Sequence, residues 1–159
     1  MGVNQSILFL KKYVQNPKYV GSIVPSSRFL ANRMLDQVSW EQIKTVIELG
    51  AGTGAISRLM AKRLNPKTRV MIFEKDEQMR GRIQNNYSEW ICEGDAMQLL
   101  WQLEKHNMHK VDCIISGLPF FNFSAEMRHH LIRQCVDALK PGGHLIAFQY
   151  SLQMRRLLS

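Results

Sequence analysis

The sequence lacks any apolar run that approaches the roughly 18–20 residues needed to cross a bilayer. Its first ten residues also lack a basic segment followed by a long apolar stretch, so no secretory signal is predicted. Cysteine is scarce, and the spacing of Cys92, Cys113 and Cys135 suggests no pairs. Buried thiols in a reducing compartment are the expected state of all three. These absences favour a cytoplasmic location.

Basic residues are concentrated in the first half of the chain, without a matching number of acidic ones. Residues 1–82 hold 14 lysines and arginines against 6 acidic residues, whereas residues 83–159 hold 7 of each. A basic half favours an anionic partner, either nucleic acid, an anionic membrane surface or an acidic small molecule. A well-solvated basic surface gives the same count, so charge alone leaves these alternatives open.

Convincing metal-ligand clusters are also missing. His106 and His109 lie in a polar loop without nearby cysteine or carboxylate partners in the sequence, and His129 and His130 diverge on a predicted helix. We therefore predict no metal site.

Strand and helix patterns alternate along most of the chain. Such alternation predicts an α/β fold, with a doubly wound, Rossmann-like, mostly parallel sheet that binds ligands at the carboxyl ends of its strands. A single domain of 1–159 is expected, with a helical lid or membrane segment at 1–40 and a cofactor-binding core at 45–150. The predicted strands are 45–49, 69–74, 88–92, 111–116 and 144–150, and the predicted helices are 5–15, 25–37, 55–64, 77–85, 96–106 and 125–139.

A glycine-rich turn, Glu-Leu-Gly-Ala-Gly-Thr-Gly at residues 48–54, joins the first core strand to a helix. Gly50 allows the sharp turn, Gly52 lets the backbone approach a ligand, and Gly54 lets the helix pack on the sheet. The turn alone also fits a dinucleotide site, because Ala55 completes that pattern and Glu74 follows at the expected distance.

Acidic residues around the turn favour S-adenosylmethionine over a dinucleotide. Glu48 would help to organise a cationic amino-acid group, whereas it would repel a pyrophosphate. Glu74 can accept hydrogen bonds from both ribose hydroxyls, and Asp95 from the adenine amino group. Asp95 is also a plain helix N-cap candidate.

In this order and spacing, the motifs from about residue 45 to 150 resemble class I methyltransferases. The resemblance implies S-adenosylmethionine as cofactor and S-adenosylhomocysteine as product. The predicted cofactor-binding residues are Glu48, Gly50, Ala51, Gly52, Gly54, Glu74, Lys75, Asp95, Ala96, Ser116, Ser26 and Ser27.

A second loop, Ser-Gly-Leu-Pro-Phe-Phe at 116–121, follows the fourth core strand and resembles the catalytic loop of N-methyltransferases. There a proline-stiffened turn directs backbone carbonyls towards the amine. Ser116 departs from the usual Asp or Asn, which puts a planar base amine in doubt as the substrate; an apolar turn that caps the sheet is the alternative. The predicted catalytic residues are Ser116, Gly117, Leu118, Pro119 and Tyr19.

The N-terminal residues, 9–17 and 20–31, resemble the opening of bacterial phospholipid N-methyltransferases. That resemblance implies a basic amphipathic helix for the membrane and a phosphatidylethanolamine-like substrate. An amphipathic helix that covers the core is the alternative. We therefore expect an anionic membrane or lipid partner and a peripheral position on the inner membrane face. An rRNA adenine N-methyltransferase with an RNA partner, and a truncated cofactor-binding protein without activity, are the rival hypotheses.

Class I methyltransferases normally close with an antiparallel β-hairpin beside the fifth strand. The sequence ends at Ser159, so the predicted fold lacks that C-terminal hairpin. The fifth strand would then present an apolar edge. We expect it to be covered by the N-terminal helices or by a second copy of the chain in a homodimer.

Overall fold

A computed structural model describes residues 7–11 and 25–149. Within these residues, no helix is long and apolar enough to span a membrane. The strands are β1 (Ile7–Lys11), β2 (Thr45–Leu49), β3 (Arg69–Phe73), β4 (Ile91–Glu93), β5 (Val111–Ser116) and β6 (Leu139–Gln149). The helices are α1 (Pro25–Leu35), α2 (Ala55–Ala61), α3 (Glu77–Asn86), α4 (Leu99–Lys105) and α5 (Ala125–Ala138).

The six strands form one sheet in the order β1-β6-β5-β2-β3-β4, and every pairing is parallel. One core cluster packs α1, α2 and α3 against the sheet, and a second packs α4 and α5 against its other face. Strand order reverses between β2 and β5, so the loops after these two strands meet at the carboxyl edge. The doubly wound α/β prediction is confirmed.

The predicted helix over residues 5–15 is wrong at Ile7–Lys11, which forms β1 and pairs with β6. Four consecutive apolar residues (7–10) carry no helical periodicity of their own, and such a run suits a strand equally well. The free edge of β6 offers a row of unpaired backbone groups, and β1 satisfies them.

This pairing also changes the expectation for the fifth predicted strand, which is β6 in the structure. Its edge is paired within the chain, from Ile7 beside Leu145 to Lys11 beside Gln149. The cover is a strand instead of the predicted N-terminal helices. The β6 edge on which the homodimer prediction rested is therefore paired with β1 along residues 145–149, and the homodimer itself stays a prediction.

Several element boundaries differ from the prediction by a few residues. The third core strand begins at Ile91 because the preceding residues form a turn in which Tyr87 stacks on Trp90, with ring centroids 3.9 Å apart. Residues 140–143 do not form a free loop after α5. They lie in β6 as an irregularity, opposite a register shift between Val111 and Cys113.

The cysteines are free, as predicted. Cys113 and Cys135 are buried, and burial raises the pKa of each thiol to about 12. Cys92 is half-buried, and its pKa rises to about 11 for the same reason. Because the thiolate is the reactive form, none of the three is a candidate nucleophile.

Candidate functional site

The loops after β2 and β5 pack backbone against backbone at the point where strand order reverses. The Gly117 amide donates to the Leu49 carbonyl at 2.9 Å. A Cβ at Gly50 would lie 2.6 Å from Leu118 Cδ2, and one at Gly117 would lie 3.1 Å from the Gly50 carbonyl oxygen. A side chain at either position would force the neighbouring loop to shift, so the glycine turn and the predicted catalytic loop are in close contact through their glycines.

The glycine turn is held in a left-handed conformation. Gly50, Gly52 and Gly54 have φ of +72°, +56° and +80°. The amides of Gly50 and Ala51 donate to the Phe73 carbonyl, which ties the turn to β3. A Cβ at Gly52 would meet nothing within 4 Å, so the backbone there faces open space. Such a position can admit a ligand to direct backbone contact.

Glu74 follows β3 and reaches into the glycine turn with its carboxylate. Its Oε2 accepts from the Gly52 amide at 2.5 Å, and its Oε1 accepts from the Asp76 amide at 2.9 Å. In a dinucleotide site, the turn amides would face the pyrophosphate. Here a carboxylate engages the Gly52 amide, and a phosphate at the same place would meet like charge. The arrangement therefore fits a cofactor without phosphates, such as S-adenosylmethionine.

Glu48 lies beneath the turn and not at its surface. It is 2% exposed, and its Oε2 accepts from the Ser57 hydroxyl at 2.6 Å. Burial raises the pKa of Glu48 to about 7; the bond from Ser57 opposes this rise, and the nearby Glu74 adds to it. Glu48 thus supports the site from beneath the turn, because its bond with Ser57 holds the first turn of α2.

We expect Glu48→Gln to remove a pH-dependent part of the stability. An ordinary carboxyl has a pKa of 4.5, so between about pH 4.5 and 7 the folded protein keeps a proton on Glu48 that the unfolded chain has lost. The free energy of unfolding of the unmodified protein should therefore fall as pH rises through this window, by at most about 3 kcal/mol. The glutamine variant can still accept from Ser57 and should lack that fall.

Urea unfolding at about pH 5 and about pH 8 measures the difference. Glu77→Gln, an exposed carboxylate in the first turn of α3, is the control and should keep the pH dependence. Equal pH dependence in the unmodified protein and in Glu48→Gln would show that Glu48 titrates normally.

Asp95 is the N-cap of the 3-10 turn that begins at Ala96, and its Oδ1 accepts from the Met97 amide at 2.9 Å. The residue is exposed at the carboxyl edge beyond β4. Lys75 is exposed beside Glu74. The loops after β3 and β4 are themselves joined, because the Glu74 amide donates to the Glu93 carbonyl at 3.0 Å.

The predicted catalytic loop is ordered by its own hydrogen bonds. Ser116 is fully buried, and its Oγ accepts from the Leu118 amide at 3.3 Å. The Leu118 carbonyl accepts from the Phe120 amide and the Pro119 carbonyl from the Asn122 amide, both at 2.9 Å. Burial keeps the Ser116 hydroxyl from a substrate.

The remaining predicted site residues come from the N-terminal segment. Ser26 and Ser27 lie in the first turn of α1. Tyr19 lies outside the described residues. The structure thus brings the turns after β2, β3, β4 and β5 to one edge, and it leaves the role of the N-terminal residues as a prediction.

The structure corrects the sequence reading of His106, for which no carboxylate partner was expected. Its Nε2 lies 2.7 Å from Glu93 Oε1, and Lys105 Nζ lies 3.4 Å from the same oxygen. These contacts hold the pKa of Glu93 below its usual value against the opposing effect of burial. Among the described residues no group of three or more histidine, cysteine or acidic side chains could hold a metal ion.

Two residues that organise the site escaped the sequence reasoning. Ser57 was visible only as a polar residue on the buried face of α2, between Ile56 and Leu59. Arg80 donates to the Glu74 carbonyl at 3.0 Å, and its Nη1 would lie 2.9 Å from a Cβ at Gly94. It braces the loops after β3 and β4, and nothing in the local sequence around Arg80 signals that position.

Comparison with known proteins agrees with this geometry. Residues 46–143 match the family model described as a methyltransferase domain. The ornithine lipid N-methyltransferase of Singulisphaera acidiphila is 34% identical over 140 residues, which cover 86% of this chain and 73% of that protein. The ribosomal RNA small subunit methyltransferase A of Mycoplasma mycoides is 29% identical over 110 residues, which cover 65% of this chain and 40% of that protein.

Among solved structures, an O-methyltransferase of Bacillus cereus in complex with S-adenosylhomocysteine superposes with a TM-score of 0.62. It is 17% identical and shows the fold alone; the match covers 80% of this chain and 58% of that one. The chain thus spans a little more than half the length of this structural neighbour. With the family model, the relatives and the glycine turn in agreement, the chain belongs to the methyltransferase domain family, as an S-adenosylmethionine-dependent methyltransferase.

Proposed function

We propose that this chain methylates an amine nitrogen in the head group of a membrane lipid, of the phosphatidylethanolamine or ornithine-lipid kind. The observation that supports this best is the degree of identity to a relative that is named for a lipid substrate. The ornithine lipid N-methyltransferase is 34% identical over 140 residues, whereas the ribosomal RNA methyltransferase is 29% identical over 110 residues.

In this proposal S-adenosylmethionine supplies a methyl group on a positively charged sulfonium. The open backbone at Gly52 would admit it, the Glu74 carboxylate would accept from its ribose hydroxyls, and the Asp95 oxygen that does not cap the 3-10 turn would accept from its adenine. The Glu74 carboxylate makes the site favourable for a cationic ligand. Each of these roles needs a hydrogen-bond acceptor, and a carboxylate supplies one.

The loop after β5 would then position the acceptor. An ammonium head group would first release a proton to water. The lone pair of the free amine would then form the N–C bond as the S–C bond of the sulfonium breaks, which leaves S-adenosylhomocysteine and a methylated ammonium group. The carbonyls at Gly117 and Leu118 can accept hydrogen bonds from the remaining amine protons, and this would hold the lone pair in line with the methyl group. Backbone acceptors suit a flexible alkylamine, since they do not require the planar match that a base amine needs.

Transfer of a tritiated methyl group separates the candidate substrates. We expect label in ornithine lipid or phosphatidylethanolamine presented in detergent micelles, and none in micelles of phosphatidylglycerol, which has no amine. Ribosomal RNA is assayed in parallel. Label in RNA with none in lipid would overturn the proposal in favour of an RNA adenine N-methyltransferase. If S-adenosylhomocysteine binds and neither substrate is labelled, the lipid-amine proposal fails as well.

A further inference from the structure

The described surface carries two exposed aromatic–cation contacts, and they lie on opposite faces of the sheet. On α1, Phe29 is 65% exposed, and the Arg33 guanidinium lies 5.9 Å from its ring centroid. On α4, Trp101 is 58% exposed, and Lys105 Nζ lies 5.4 Å from its ring. Both place an aromatic ring and a cation in water, yet their electrostatic surroundings differ.

The cation on α4 is neutralised by a neighbour. Lys105 forms an ion pair with Glu93, and Glu104 is exposed beside it. On α1, by contrast, Arg28 and Arg33 are both exposed, and neither takes part in any ion pair among the described residues. The acidic residue that follows α1, Asp36, is bound by Arg63 at 2.6 Å. The surface of α1 therefore presents uncompensated positive charge around an exposed ring.

The direction of α1 places this surface on the side of the active site. Arg63 follows α2 and contacts both Asn32 and Asp36, so the C-terminal half of α1 lies beside the end of α2. Because α2 begins at the glycine turn and both helices lead towards the amino edge of the sheet, the N-terminal half of α1 extends towards the carboxyl edge. Phe29 lies about one turn, roughly 5 Å, closer to that edge than Arg33.

We propose that the exposed face of α1 formed by Arg28, Phe29 and Arg33 docks on an anionic lipid surface. An interfacial helix binds a bilayer by inserting aromatic rings into the head-group region while its cations contact lipid phosphates. The exposed residues of α1 have this arrangement. Ala31, Met34 and Leu35 bury the opposite side of the helix in the core, so α1 is fixed as a rigid edge of the site. The inference rests on the proposed lipid substrate, and it names the surface that brings the active site to the bilayer.

Vesicle sedimentation tests this surface without requiring methyl transfer. Vesicles of phosphatidylglycerol with phosphatidylcholine are compared with phosphatidylcholine alone, using the unmodified chain, Phe29→Ser/Arg33→Gln and the matched pair Trp101→Ser/Lys105→Gln. We expect the unmodified chain to prefer anionic vesicles, the α1 pair to bind about tenfold more weakly and the α4 pair to bind normally. Arg33→Glu, which keeps the ring, should also weaken binding, and the melting temperature verifies that each variant folds.

Equal loss in the two pairs, unchanged binding in the α1 pair, or no preference of the unmodified chain for anionic vesicles would overturn the docking surface. The two proposals fail separately, because the micelle assay does not need a bilayer. Binding through α1 with no label in any lipid would remove the proposed substrate and leave the surface. Label in micellar lipid, together with vesicle binding that is unchanged in the α1 variants, would remove the docking surface and leave the proposed substrate.

Discussion

Gly52→Ala is expected to weaken binding of S-adenosylhomocysteine by about 10–100-fold while the protein stays folded. Gly52 has a φ of +56°, and a Cβ there would point into open space. The added methyl group therefore clashes with nothing in the protein, but it occupies the volume through which a ligand reaches the backbone. Its left-handed conformation also costs about 1–2 kcal/mol of stability.

A matched variant separates these two effects. Gly142 has a φ of +78°, a Cβ there would also meet nothing within 4 Å, and it lies in β6 next to a register shift at the opposite edge of the sheet. Gly142→Ala should thus cost similar stability and leave the affinity for S-adenosylhomocysteine unchanged. Calorimetric titration of both variants, with thermal unfolding, makes the comparison. If the two variants lost affinity equally, backbone strain and not filled space would be the cause.

The parts of this fold that sequence reasoning predicted well are those in which local pattern and tertiary environment agree. Residues 45–49 read as a buried strand, and β2 has these bounds because both of its neighbours in the sheet are strands and its residues pack on both faces. The glycine turn was predictable for a similar reason. Three alternating glycines after a strand fit few structures other than a left-handed turn that leads into a helix.

The N-terminal strand shows where local pattern fails. Residues 7–10 are uniformly apolar, so their sequence fits a helix or a strand, and the spacing of Ile7, Leu10 and Val14 favoured the helix. What decided the outcome was the unpaired edge of β6, more than 130 residues away in sequence. A long-range backbone requirement of this kind leaves no trace in the segment that satisfies it.

Within the site, the acidic residues could be found from sequence, but their hydrogen-bond partners could not. Glu48 and Glu74 stand at fixed sequence distances from the glycine turn, and the fold brings these two positions next to it. That Ser57 binds one and the Gly52 amide binds the other depends on side-chain direction in the folded state. The sequence predicted Glu48 as a direct or water-mediated organiser of the ligand, whereas burial places it beneath the turn.

Glu74→Ala is expected to lower the affinity for S-adenosylhomocysteine by about 100-fold, the largest loss among single side-chain removals at this site. The proposed bonds from the ribose hydroxyls would be made to a charged group, and each such hydrogen bond contributes about 1.5–3 kcal/mol. The carboxylate also holds the turn through its bonds to the backbone amides of Gly52 and Asp76, so its removal loosens the site that receives the cofactor. The affinity of Glu74→Gln should lie between those of the unmodified chain and of Glu74→Ala, because its amide oxygen can replace one carboxylate acceptor but not both. Glu77→Ala, which removes an exposed carboxylate three residues away, should bind normally.

Loss of affinity alone does not say whether Glu74 touches the cofactor or only holds the Gly52 amide. A cycle with a cofactor analogue that lacks the ribose hydroxyls distinguishes the two roles. If Glu74 accepts from the ribose, the unmodified chain should bind the deoxy analogue far more weakly than S-adenosylhomocysteine, and Glu74→Ala should bind the two nearly equally. If it only supports the turn, both proteins should lose the same factor on removal of the hydroxyls. Because Glu74 joins the turn after β2 to the loop after β3, the first result would also mean that ribose recognition and turn geometry depend on one side chain.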